Sequence, residues 1–135
     1  MRVYLAARYS LNGAMREAAA YLSARGHVIT SRWINGCHEL GDHPTDEARR
    51  RLAFEDLDDL RIADAMIAFS EPPRTMSNSR GGRHVEFGLA IALNKQILVI
   101  GLRENVFHYL PDIRHFSNLV DAAQALDEAP RVSAT

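Results

Sequence analysis

Short unbroken runs of apolar residues punctuate the chain at Val3–Ala7, Ala65–Phe69 and Ile97–Ile100, and between them apolar positions recur every three or four residues. An unbroken run of about five predicts a strand covered on both faces; the longer spacing predicts an amphipathic helix. In chain order this gives a first strand over Arg2–Ala7, then a helix capped by Ser10 or Asn12 and ended by Gly26, with Met15, Ala18, Ala19 and Leu22 inward. His27–Ser31 predicts a second short strand. Thr45 is the expected N-cap of a helix to about Ala63, helped by Asp46 and Glu47 in its first turn. Ala65–Phe69 is the third strand. A helix from Gly82, stopped near Asn94, leads to a fourth strand over Gln96–Gly101. Phe116–Leu119 is a short fifth strand candidate and Val120–Leu126 a last helix. Strand alternating with helix predicts a single α/β domain, a doubly wound parallel sheet of four to five strands over residues 1–128, with a frayed tail at 129–135.

Composition narrows the picture. A chain of 135 residues suffices for one domain with a real core. The net charge of −1 gives no basis for binding nucleic acid or an acidic membrane surface. Cys37 is the single cysteine, which excludes an internal disulfide and suits a reducing compartment. No apolar run reaches transmembrane length and no signal-peptide pattern opens the chain, so a cytoplasmic protein is expected.

The chemistry-bearing residues cluster where strands give way to loops, the edge at which open α/β sheets bind ligands. Tyr4 is the one polar side chain in the first strand: either a core tyrosine bonded to a carbonyl or part of a site. Arg8 follows that strand at the ligand edge. Trp33 opens a polar loop and is either a flat platform for a base or an anchor over the sheet edge. Cys37, His38 and His43 in that loop match no standard zinc spacing. On the second helix Leu52, Ala53, Leu57, Leu60 and Ala63 form an apolar arc containing Asp56, while Glu55, Asp58 and Asp59 fall at or beyond its margin and are expected in solvent. Asp56 is then either a working acid or a buried one bonded to loop backbone. Glu86 falls in the first turn of the third helix or just beyond, on a face with Leu89, Ala90 and Leu93. Near the positive end of a helix dipole it should stay ionised though largely desolvated, a nucleophile or base, or else an acid that bonds free helix amides. The loop Ser70–Arg80 carries two prolines; with Ser77, Ser79, Arg80, Arg83 and the amides at Gly81–Gly82 it is either a receptor for an anionic group or a solvated loop. It is not a Walker loop, and no Gly-x-Gly-x-x-Gly follows the first strand. His84-Val85-Glu86 has the His-x-Glu form of zinc deaminases, but no cysteine follows Cys37.

Three segments taken together resemble the nucleoside 2-deoxyribosyltransferase superfamily, which includes 2'-deoxynucleoside 5'-monophosphate N-glycosidases. They are Val-Tyr-Leu-Ala around Tyr4, Asp56 eight residues before Asp64, and Gly-Gly-Arg-His-Val-Glu-Phe-Gly-Leu-Ala around Glu86. The likeness covers residues 2–101, and Glu-Phe-Gly-x-Ala is its most specific part. It implies a flavodoxin-like fold, a homodimer or larger homo-oligomer, no cofactor or metal, and a nucleoside or nucleotide substrate with a free nucleobase as possible acceptor. It also implies roles: Glu86 as the nucleophile forming a glycosyl ester, Asp56 as the acid assisting the base's departure, and Tyr4 orienting Glu86. Six residues before the nucleophile, where the family contacts the sugar's 5' end, transferases tend to place an acid and monophosphate hydrolases a serine. This chain has Arg80, with Ser79 beside it. A cation there favours a phosphate. Gly82 is implied at the same end, and the segment Asn105–Pro111, read as a short helical turn or a subunit contact, implies Asn105 at a neighbouring subunit's site. A non-catalytic nucleotide-binding module on the same fold is the alternative.

Overall fold

The computed structural model describes residues 1–35, 44–71 and 81–128. Five strands form one sheet: β1 (Arg2–Ala6), β2 (Val28–Ile29), β3 (Ala65–Phe69), β4 (Gln96–Ile100) and β5 (Arg114–Phe116). Their spatial order is β2-β1-β3-β4-β5, and every neighbouring pair is parallel. Four helices flank it: α1 (Asn12–Ala24), α2 (Asp46–Ile62), α3 (Gly82–Ala92) and α4 (Leu119–Glu128). This is the doubly wound parallel order that the alternation predicts and the flavodoxin-like fold that the resemblance implies, with five strands.

The centre of the sheet explains the unbroken apolar runs. Val3, Tyr4 and Leu5 of β1, Ala65, Met66 and Ile67 of β3, and Leu98 and Val99 of β4 are buried because helices cover both faces. The register pairs Tyr4 with Met66 and Ala6 with Ala68. Residues two apart on a strand share a face. Ala6 and Ala68 therefore lie beyond Tyr4 and Met66 on one face, and their small side chains leave room at the carboxyl edge.

Several boundaries move for identifiable reasons. A 3-10 turn, Tyr9–Leu11, runs into α1, so neither Ser10 nor Asn12 caps it. The second strand shortens to Val28–Ile29 because the Ser31 side chain, not a strand partner, accepts the Leu5 amide at 3.1 Å. The fifth strand ends at Phe116 because Asn118 Oδ1 accepts the Asp121 amide at 2.8 Å and starts α4. Thr45 caps α2 as expected, accepting from the Ala48 amide at 3.1 Å. Asn94 stops α3 with φ 55°, the left-handed conformation asparagine tolerates. The Asn105–Pro111 segment is a 3-10 turn over Val106–Tyr109. No helix among the described residues is long and apolar enough to cross a membrane. The 129–135 tail lies outside the described residues.

Gly101 leaves β4 at φ +110°, and a side-chain carbon there would meet Ser70 Cβ at 3.1 Å. Gly101→Ala is expected to cost about 1–3 kcal/mol through backbone strain and crowding, measured as a lower denaturation midpoint than that of a control Gly88→Ala on the open face of α3.

Candidate active site

Three elements deliver the central side chains. Tyr4 stands in the middle of β1, fully buried. Glu86 comes from the second turn of α3 and Asp56 from the middle of α2, two helices that pack on each other and on β1. Burial first, then the negative charges of Glu86 and Asp56, push the Tyr4 hydroxyl far above its ordinary range, so it keeps its proton. Burial also pushes the Glu86 carboxyl up to about 8; the Tyr4 hydroxyl works against that shift and the Asp56 charge adds to it. The Tyr4 hydroxyl oxygen and Glu86 Oε2 are both buried without a hydrogen bond of full geometry, close enough to couple but not closed on one another.

The expectation that Glu86 stays ionised is therefore corrected. Glu86 is the fifth residue of α3, beyond the reach of free amides in the first turn. Desolvation and a neighbouring acid outweigh the dipole, and the proton is retained near neutrality. The inward face of α3 also differs: Phe87 and Ala90 are buried, whereas Leu93 is exposed.

On α2 the arc is rotated from the one projected. Asp59, expected in solvent, is 3% exposed, and Ala53, expected inward, is exposed. Asp59 is buried because Arg32 neutralises it: the Arg32 amide donates to Oδ2 at 3.0 Å and its Nε to Oδ1 at 2.9 Å. Glu55 and Asp56 are partly buried and Asp58 is exposed.

The remaining expected residues divide by place. Trp33 is buried, and its indole N–H donates to the Leu5 carbonyl at 2.8 Å, which anchors the turn Arg32–Asn35 to the end of β1. Its ring lies 6.2 Å from that of Tyr9. Arg8 sits just past β1 with its Nε buried and unbonded. Gly82 opens α3, exposed, after Gly81 turns the chain at φ +88°. Asn105 uses its side-chain oxygen to accept the Phe107 amide at 3.0 Å and caps the 3-10 turn. Ser79 and Arg80 lie outside the described residues, as do Cys37, His38 and His43. Among the described residues no group of three or more His, Cys, Asp or Glu could hold a metal ion.

A small recess of about 10 Å³, room for roughly one water, lies beyond Ala6 and Ala68 and is lined by Phe69, Phe87, Arg83, His84, Glu104 and His108. Glu104 and His108 escaped the sequence reading. Arg83 was read only as a partner for an anion; its spacing from Phe87, four residues on along the same helix face, was the available sign that it points inward.

No family model matches the chain, and no curated protein matches it. Solved structures do. The chain is similar to the CMP N-glycosidase BcmB of Clostridium botulinum, at 20% identity and a TM-score of 0.59, covering 94% of this chain and 98% of that one. It is similar to a 2-deoxyribosyltransferase of Bacillus psychrosaccharolyticus, at 18% identity and 0.68, covering 91% and 90%. It is also similar to a conserved protein of Enterococcus faecalis, at 13% identity and 0.63, covering 94% and 97%. At these identities the likeness is one of fold.

The raised Glu86 group makes a thermodynamic prediction. Between the unfolded carboxylate value and about 8, the folded protein holds a proton that the unfolded chain releases, so folding stability falls as pH rises through that window. Glu86→Gln removes this dependence. Denaturant titrations at pH 5 and pH 8 should show the variant gaining on the parent as pH rises; parallel curves would contradict the buried-acid assignment.

Proposed function

We propose that the chain cleaves the N-glycosidic bond of 2'-deoxynucleosides, passing the deoxyribosyl group to a second base or to water. The observation that carries this reading is the convergence of Tyr4, Glu86 and Asp56 beside the open carboxyl edge of the sheet. Two of the solved structures that the chain is similar to belong to proteins named as a CMP N-glycosidase and a 2-deoxyribosyltransferase.

The chemistry follows from the charges. Departure of the base leaves an oxocarbenium-like sugar, which a carboxylate on the opposite side stabilises and captures. Glu86 supplies that carboxylate: its oxygen forms the ester bond to the anomeric carbon while the C–N bond breaks and its electrons leave with the base. The proton that Glu86 holds at rest passes to Asp56 as substrate binds, and Asp56 gives it to the base, which departs neutral. The ester is then opened by another base or by water, which yields its proton to Asp56. Glu86 has to be ionised for attack, although burial favours its protonated form. The Tyr4 hydroxyl, which keeps its proton, donates to the ionised form and holds the attacking oxygen in place. Two neighbouring acids, one protonated and one charged, are what the reaction needs.

A second reading, hydrolysis of a nucleoside 5'-monophosphate, is favoured by Arg8, whose buried Nε lacks a bond, and by the name of the CMP N-glycosidase. A homo-oligomer is part of the proposal: Val106, Phe107, Tyr109 and Leu110 stand exposed together beside the recess.

Incubation with deoxynucleosides and with nucleoside monophosphates, each with and without a second base, separates the readings by chromatography. Exchange that requires the acceptor identifies a transferase; base release from monophosphates alone identifies the hydrolase. Glu86→Gln is expected to lose essentially all turnover while keeping its fold and its ligand. Asp56→Asn should slow base departure by about 10²–10⁴-fold. An active Glu86→Gln protein would refute the covalent mechanism, and absence of turnover in the parent would favour the binding module.

A further inference from the structure

Arg83 lies one helical turn before Glu86 on α3 and is not a free cation: its side chain is 11% exposed. Its two terminal nitrogens donate to the two carboxylate oxygens of Glu104, each at 2.5 Å. The same guanidinium reaches Glu71 Oε2 at 3.5 Å. Glu71 stands two residues past the end of β3, and Glu104 four past the end of β4. Other bonds draw the same segments together. Ser70 donates its hydroxyl to the Leu102 carbonyl at 2.5 Å, and the Glu104 amide donates to His108 Nδ1 at 3.3 Å. The His108 ring rests on Phe87, with ring centres 4.7 Å apart.

One planar fork thus joins the first turn of α3 to the loops leaving two adjacent strands. Two of the residues so joined, Arg83 and Glu104, line the recess beyond Ala6 and Ala68. Burial pushes the Glu104 carboxyl up, but the hydrogen bonds and charge of Arg83 outweigh it, and the net shift is down. Glu71 Oε1 remains buried without a bond, so the cluster holds two carboxylates against one guanidinium. The charge of this cation is already met by carboxylates, and its two terminal nitrogens are turned to Glu104 rather than to a substrate anion. We infer that Arg83 is a positioning residue, a latch that holds the carboxyl ends of β3 and β4 against α3 and so sets the width of the substrate seat and the placement of Glu86. Its kinetic consequence rests on the N-glycosidic reading; the latch itself does not.

The test uses Arg83→Gln, Arg83→Lys and the charge exchange Arg83→Glu with Glu104→Arg, each assayed where circular dichroism shows it folded. Arg83→Gln is expected to lower kcat/KM by about tenfold to hundredfold, with KM raised and kcat lowered together, because a slack seat misplaces the reacting atoms. Arg83→Lys should recover part, since a single ammonium lacks the fork that grips Glu104 at both oxygens. The charge exchange should outperform Arg83→Glu alone. Hydrogen exchange should quicken at residues 70–71 and 101–105 in Arg83→Gln. Unchanged kinetics with a lowered melting temperature would make Arg83 a plain stabilising residue and overturn the latch, as would unchanged exchange in both segments. Should Arg83→Gln not fold, Arg83→Lys carries the same comparison. A parent protein without turnover would refute the functional reading, while the exchange measurement would still decide the latch.

Discussion

A carboxyl group withdrawn from water is the constraint around which this fold is arranged. Glu86 sits against a buried tyrosine hydroxyl and near a second acid, and each neighbour alters how firmly it holds its proton. Such an arrangement persists only in a frame that cannot relax to let water in. A parallel sheet covered on both faces supplies that frame. Tyr4 is locked between β2 and β3 as part of β1, and the helices bearing the two acids pack across it.

The other buried charges are handled differently. Asp59 is met by Arg32 through the backbone amide and the guanidinium together, and Glu104 is met by Arg83 through both oxygens. Each pair ties a loop or turn to a helix. Glu86 has instead a hydroxyl and another acid. Paired charges lie to either side of it, whereas Glu86 has no cation among the groups that shift it.

The recess at the carboxyl edge also comes from the frame. Two alanines at paired positions on β1 and β3 stand where larger residues would fill the carboxyl edge. Trp33, bonded to the Leu5 carbonyl, anchors the following turn to the end of β1. Phe87 and His108, their tilted rings packed together, close one side of the recess.

The strands at Ala65–Phe69 and Gln96–Ile100 were legible because a strand buried on both faces writes itself as a continuous apolar run. Thr45 and Asn94 were legible because capping and left-handed stops depend on the residue and its immediate neighbours. Tyr4, Asp56 and Glu86 could be singled out as polar groups on inward faces, which needs only the period of a strand or helix. Asp59 could not: at the margin of its arc it would be solvated, and a partner twenty-seven positions away, Arg32, made burial affordable. Nor could the state of Glu86, since its proton depends on how deeply three elements bury it rather than on its place in a helix. The Arg83 cluster likewise joins residues from three loops and helix ends. Periodicity is a local property carried by the chain itself. Which charges meet, and how dry the place is where they meet, was decided only when distant segments packed together.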